Sequence, residues 1–219
     1  MVSIGKEFAL LFAVLFLPGM IAQGSTVDPR AFEDLFYHLQ LLATAVPQIL
    51  LVITLSELRR RGSAHRFGWV RPSPRDAILA LAGIAGTWLV VGVISVVAGA
   101  LTGTPGGAAA RVEWSFDRPE LIPLVLVSTL AIGYREEVFY RAYIADRAEE
   151  ADVNPRLALA LGAALFAAGH LYQGIMGFVI ALAIGLFLGE LYLRTRSLHG
   201  IAVAHGIHNL LVLLGSGAS

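Results

Sequence analysis

Three groups of ionisable or amide side chains interrupt otherwise apolar sequence. They are Arg135, Glu136, Glu137 and Arg141; then His170; then His205, His208 and Asn209, preceded by His199. Within apolar segments of membrane-spanning length such groups are costly, and they face a bundle interior or a wet cavity. Glu137 and Arg141 are four residues apart and can pair on one helix face. Glu136 and Glu137 diverge by about 100° around a helix, so one can work while Arg141 neutralises the other. His205 and Asn209 share a face, and His208 lies close to it. The chemistry this set supports is hydrolysis. A carboxylate held near histidine can deprotonate water, and histidine and asparagine donors can stabilise the oxyanion of a tetrahedral intermediate. Other hydrolytic schemes fit less well. There is no Cys and no Gly-x-Ser-x-Gly, and Ser56, Ser95 and Ser128 lie apart from the histidine-bearing segments. His-Glu-x-x-His is also absent, so a zincin-type site is not supported.

The elements that must carry these groups are membrane helices. Of 219 residues, 57% are hydrophobic and only 15% charged; mean hydropathy is +0.72. A soluble domain carries about a quarter charged residues. The 16 basic and 16 acidic residues cancel, which gives no reason to expect a nucleic-acid partner. Apolar runs at roughly 8–22, 39–57, 76–102, 120–146, 157–172, 174–193 and 198–215 approach the ~20 residues a membrane helix needs. The expectation is an all-α polytopic transmembrane bundle of about seven spans (six to eight), a single integral membrane domain over 1–219. The first run is short and contains Pro18. It reads as a retained span, with a cleaved signal segment as the alternative.

Basic residues orient the chain. Arg59, Arg60, Arg61, Arg66, Arg71 and Arg75 crowd one loop, with Arg147, Arg156, Arg194 and Arg196 in later loops of the same parity. The opposite loops hold Arg30, Arg111 and Arg118. The N-terminus is therefore expected in the cytoplasm of a multi-pass cell-membrane protein. Counting from the cytoplasmic arginine of each span, Glu136, His170 and His205 lie roughly 16, 21 and 14 Å deep, all near the bilayer middle.

Local signals mark the helix starts. Ser73-Pro74-Arg75-Asp76 and Asn154-Pro155 place a cap before Pro at the first helical position, and Asp117–Glu120 is expected to open another span. Gly- and Pro-rich stretches at 24–29 and 103–107 read as connections. Gly185/Gly189, Gly83/Gly86 and Ala163/Ala167 suggest close helix packing. Other polar groups have plainer readings. His199 is expected at the interface near Arg196 and Ser197, His208 in a hydrogen bond to a neighbouring helix, and Glu190 paired with Arg194. Tyr134, Tyr140, Tyr143, Trp69, Trp88 and Trp114 read as packing or interfacial residues. The loop at 59–75 is expected to set topology, with anionic lipid binding secondary.

Glu136-Glu137-Val-Phe-Tyr-Arg141, Phe166-Ala-Ala-Gly-His170 and His205-Gly-Ile-His-Asn209 together resemble the CAAX protease and bacteriocin-processing family of intramembrane endopeptidases, over about residues 120–215. The resemblance implies Glu136 as the water-activating base and His170 as a holder of that water or of the scissile carbonyl. It implies His205 and Asn209 as oxyanion donors, with Glu137 and Arg141 as a supporting pair and His208 beside them. It also implies a membrane-anchored protein or peptide substrate. A glutamate-type enzyme without cofactor is favoured. The alternative is a zinc ion held across helices by Glu136, His170 and His205. Two other functions compete: a proton-coupled transporter using Glu136, His170 and His205 as a relay, and a haem protein with axial histidines. Substrate, cleavage position and oligomeric state are not fixed by these residues.

Overall fold

The computed structural model describes residues 3–24, 28, 30–103 and 116–216, which are helices, 3₁₀ turns and connections. The helices are α1 (Ile4–Leu15), α2 (Leu17–Ile21), α3 (Leu35–Arg59), α4 (Ser63–Arg66), α5 (Pro74–Thr102), α6 (Ile122–Glu137), α7 (Ile144–Glu150), α8 (Pro155–Ala168), α9 (Gly174–Thr195) and α10 (Leu198–Ser216). Trp114, Arg111 and parts of the connections at 24–29 and 103–107 lie outside the described residues.

The chain is an all-α membrane bundle. Among the described residues four helical stretches are long and apolar enough to cross a bilayer: Leu35–Arg59, Pro74–Thr102, Leu171–Thr195 and Leu198–Gly215. The other three predicted spans are helical but differ in kind. The first is bent between α1 and α2, where Pro18 sits in the opening turn of α2 and cannot donate a helix hydrogen bond. The run at 120–146 is charged and interrupted, because a π-helical segment, Val138–Tyr143, joins α6 to α7. Helix α8 has only 14 residues.

Several starts form as read. Ser73 and Asp76 make a capping box ahead of Pro74, and Asn154 accepts from the Arg156 backbone N–H. The Pro119 signal instead opens a 3₁₀ turn, Pro119–Leu121, and the α-helix follows from Ile122.

Helix α10 lies between α5 and α6; α8 packs on α9, and α3 on α6. The small residues allow this closeness. A Cβ at Gly83 would strike Ala204, one at Gly86 would strike Phe187, and one at Gly185 would press on Ala163. Helices α6 and α10 meet backbone to backbone. A Cβ at Gly133 would come within 2.8 Å of the Ala202 carbonyl oxygen and the Gly206 nitrogen. A Cβ at Gly206 would come within 2.8 Å of the Leu130 Cα. Both obstacles are mainly backbone, so only glycine fits at either position.

The π-helical segment is the centre of the core, with Val138, Phe139, Ala142 and Tyr143 fully buried. Helices α1 and α2 close over it. Phe8 stacks on Phe139 at 5.7 Å, and Phe16 meets Phe139 and Tyr140 at 4.9 and 4.6 Å.

The arginine-rich loop is tied into the bundle by ion pairs. Buried Asp146 accepts from Arg66 Nε at 2.6 Å, Arg60 Nη1 at 3.3 Å, Arg147 Nη2 at 2.6 Å and Ser63 Oγ at 2.9 Å. Arg59 bridges Glu7 of α1 and Glu150 of α7, and Arg196 pairs with Glu149. Glu190 meets Arg194 as expected, and Arg156 as well. The basic loops thus collect at one end of the bundle.

Candidate active site

The site is assembled by the α6–α10 crossing. Glu136 and Glu137 lie one turn beyond Gly133, and His205 immediately precedes Gly206. The absence of side chains at both glycines brings His205 Nδ1 to 2.7 Å from Glu137 Oε1. On its other edge, His205 Nε2 stands 3.5 Å from Glu136 Oε2. The two adjacent glutamates therefore grip one imidazole from two sides.

Glu137 is fully buried and also pairs with Arg141 Nη1 at 2.9 Å. Arg141 is itself buried, with its guanidinium 4.9 Å above the Phe166 ring and Nη2 near the Gly185 carbonyl. A buried ion pair stabilises only when its remaining hydrogen-bonding capacity is used. Here His205, Gly185 and Phe166 supply part of it, while Glu137 Oε2 stays buried without a hydrogen-bond partner among the described residues. Phe166 is also in ring contact with His170 at 4.6 Å, His205 at 5.6 Å and Tyr140 at 5.4 Å.

His170 is not inside a helix, in contrast to the sequence reading. Helix α8 ends at Ala168, and His170 begins the turn that includes the 3₁₀ residues Leu171–Gln173. Its Nδ1 is 3.0 Å from the Phe166 carbonyl oxygen. A carbonyl only accepts, so Nδ1 carries the proton and Nε2 of the neutral ring is the acceptor.

Glu136, His170, His205, His208 and Asn209 all line one cavity of about 460 Å³. Its walls are otherwise largely apolar, with Trp88, Ile180 and Val212 among them. The cavity brings together all four residues expected to act on substrate, from three segments. Glu137 and Arg141 are not among its lining residues. Among the described residues His208 shows no hydrogen bond to a neighbouring helix. Its Nδ1 is buried without a hydrogen-bond partner among the described residues, and its ring meets the Trp88 ring at 5.3 Å. His199 is buried rather than interfacial, with Nδ1 2.8 Å from the Tyr134 hydroxyl and Nε2 2.7 Å from the Val70 carbonyl oxygen. It ties α10 to α6 and to the loop before α5.

Two site features escaped the sequence reading. Arg135 Nη2 donates to Glu136 Oε1 at 3.1 Å, although the spacing suggested only Glu137 and Arg141 as a pair. The Gly133–Gly206 crossing was also unmarked. Its available signal was a glycine three residues before one acid and another directly after a histidine.

A carboxylate, two histidines and an amide thus share one interior cavity of a helical membrane bundle. Residues 118–211 match the family model described as "Type II CAAX prenyl endopeptidase Rce1-like". Over that region the chain is similar to type II CAAX prenyl endopeptidases, which are proteases. Searches of curated proteins and of solved structures return no match.

Proposed function

We propose that the protein is an intramembrane endopeptidase of glutamate type, cutting a membrane-anchored protein or peptide. The carrying observation is the convergence of Glu136, His170, His205 and Asn209 on one cavity inside the bundle. Glu136 takes a proton from a water whose other hydrogen is accepted by His170 Nε2. The resulting hydroxide adds to the scissile carbonyl carbon. Asn209 and His205 donate to the oxyanion that forms. Collapse of the tetrahedral intermediate breaks the C–N bond, and the proton held by Glu136 passes to the leaving amine. Apolar walls favour a substrate that arrives from the lipid phase. The family match supports this reading over a proton relay or a haem site.

One observation favours a metal-dependent variant. Both His170 and His205 are bonded away from the cavity through Nδ1, the pattern that orients ligating histidines. Glu136, His170 and His205 would then be the ligands for zinc. However, among the described residues no three His, Asp or Glu side chains form a group able to hold an ion.

The collection of basic residues at one end supports a cytoplasmic placement of that end, and with it of the N-terminus, in a multi-pass cell-membrane protein. Comparing membrane proteomes of cells carrying the native chain and Glu136→Gln tests the function. Peptides that persist uncut only with the variant support it. Identical proteomes, with both proteins expressed and folded, would refute it.

A further inference from the structure

The N-terminal segment lies outside the region that matches the family model, yet it reaches the site at two points. Phe16 lies 5.3 Å beneath the guanidinium of Arg135, which bonds Glu136. The second point is Gln23, in the 3₁₀ turn after α2. Its Nε2 donates to the Ala168 carbonyl at 3.1 Å, and its Oε1 accepts from the Tyr172 backbone N–H at 3.1 Å. These two backbone groups flank His170, one on each side. Ala168 is the last residue of α8, where carbonyls lack helical partners. Tyr172 lies in the following 3₁₀ turn.

Depth agrees with this contact. Glu7, held by Arg59 at the basic end, is 16 residues before Gln23, a helical rise of roughly 24 Å. Glu150, held by the same arginine, is 14 residues from Glu136, roughly 21 Å. The short paired helices α1 and α2 thus bring Gln23 to the level of the site.

We infer that Gln23 is a positioning residue for His170. One primary amide spans the turn and fixes both backbone groups that determine where the imidazole stands. Within the turn, the Gln173 N–H bonds the His170 carbonyl at 3.0 Å, and the His170 N–H bonds the Ala167 carbonyl at 2.9 Å. These bonds shape the turn but do not tie it to another element; Gln23 does. The inference rests on the proteolytic reading for its effect on turnover, but not for its effect on the turn.

The test uses the full chain in detergent micelles with Gln23→Leu and Gln23→Glu. Glutamate keeps the acceptor for the Tyr172 N–H and loses the donor to Ala168. Two readouts need no substrate: hydrogen exchange of the backbone at 169–174, and the rate of carbethoxylation of His170 by diethyl pyrocarbonate, resolved from the other histidines by peptide mass. With Gln23→Leu, exchange in the turn and modification of His170 rise severalfold, while His38 and His199 react as in the native protein. Gln23→Glu falls between. On a peptide that persists in Glu136→Gln membranes, turnover drops by up to about 10²-fold with KM little changed. Native exchange and native His170 reactivity in both variants would overturn the inference. If Gln23→Leu does not fold, Gln23→Glu alone decides by the same two readouts. A changed turn in a protein that cleaves nothing would retain the positioning role while refuting the proteolytic reading.

Discussion

His205 Nδ1 lies 2.7 Å from Glu137 Oε1, across the glycine-lined crossing of α6 and α10. Sequence spacing pairs Glu137 with Arg141 alone. In the fold Glu137 serves two partners, and its second task is to fix which edge of His205 faces Glu136.

That double duty separates stability from activity. Glu137→Gln leaves Arg141 uncompensated in the core and is expected to cost about 3–5 kcal/mol. Adding Arg141→Met removes the stranded charge and should recover most of that loss. Turnover should stay down by about 10–100-fold in both variants, because His205 has lost its charged anchor. Melting in detergent together with single-turnover cleavage checks this. Recovery of activity in the double variant would show that Glu137 serves only Arg141.

Gly133→Ala should act as strongly as a change to a catalytic side chain. The new methyl would meet the backbone of Ala202 and Gly206, which has no rotamer through which to yield. An overpacking cost of about 1–3 kcal/mol is expected, with α6 and α10 forced apart and the His205–Glu137 contact lengthened. Gly92, which has open space around the added Cβ, is the control, and Gly92→Ala should be neutral in both melting and cleavage.

Asp146→Ala removes the buried acceptor shared by Arg60, Arg66 and Arg147 and leaves Arg147 paired with Glu150 alone. Loss of about 3–5 kcal/mol is expected. Asp146 lies away from the cavity, so cleavage by the remaining folded protein at low temperature should match the native rate. A specific loss of turnover without a fall in melting temperature would contradict a purely architectural role.

Exhaustive chelation should leave cleavage intact. Activity lost on chelation and restored by zinc would establish the metal variant, with Glu136, His170 and His205 as the ligands to test by substitution.

Much of the bundle was legible because helix periodicity is local. Ser73, Asn154 and the Glu190–Arg194 pair follow from rules that span four residues or fewer. The matched depth of Glu136, His170 and His205 was legible for the same reason, since counting residues measures height along a helix. Rotation and approach between helices are not local. The grip of Glu137 on His205 depends on Gly133 meeting Gly206 over 73 positions of sequence. Gln23 meets Tyr172 across 149. The early end of α8, which puts His170 in a turn, has a weak sign in Gly169 and Gly174, but glycine is common in membrane helices. Asp146 was hidden differently: the arginines around it were conspicuous, and the acid that gathers them was one of several nearby.

The π-helical segment Val138–Tyr143 has a consequence for how this chain can change length. A π turn takes up one more residue than an α turn for nearly the same rotation. It therefore acts as a stored insertion between the half carrying Glu136 and Glu137 and the half carrying Asp146 and Arg147. Elsewhere along Ile122–Glu150, removing one residue would swing one half by about 100° against the other. Inside the segment the same deletion would be absorbed by closing the wide turn, with both halves still facing their partners.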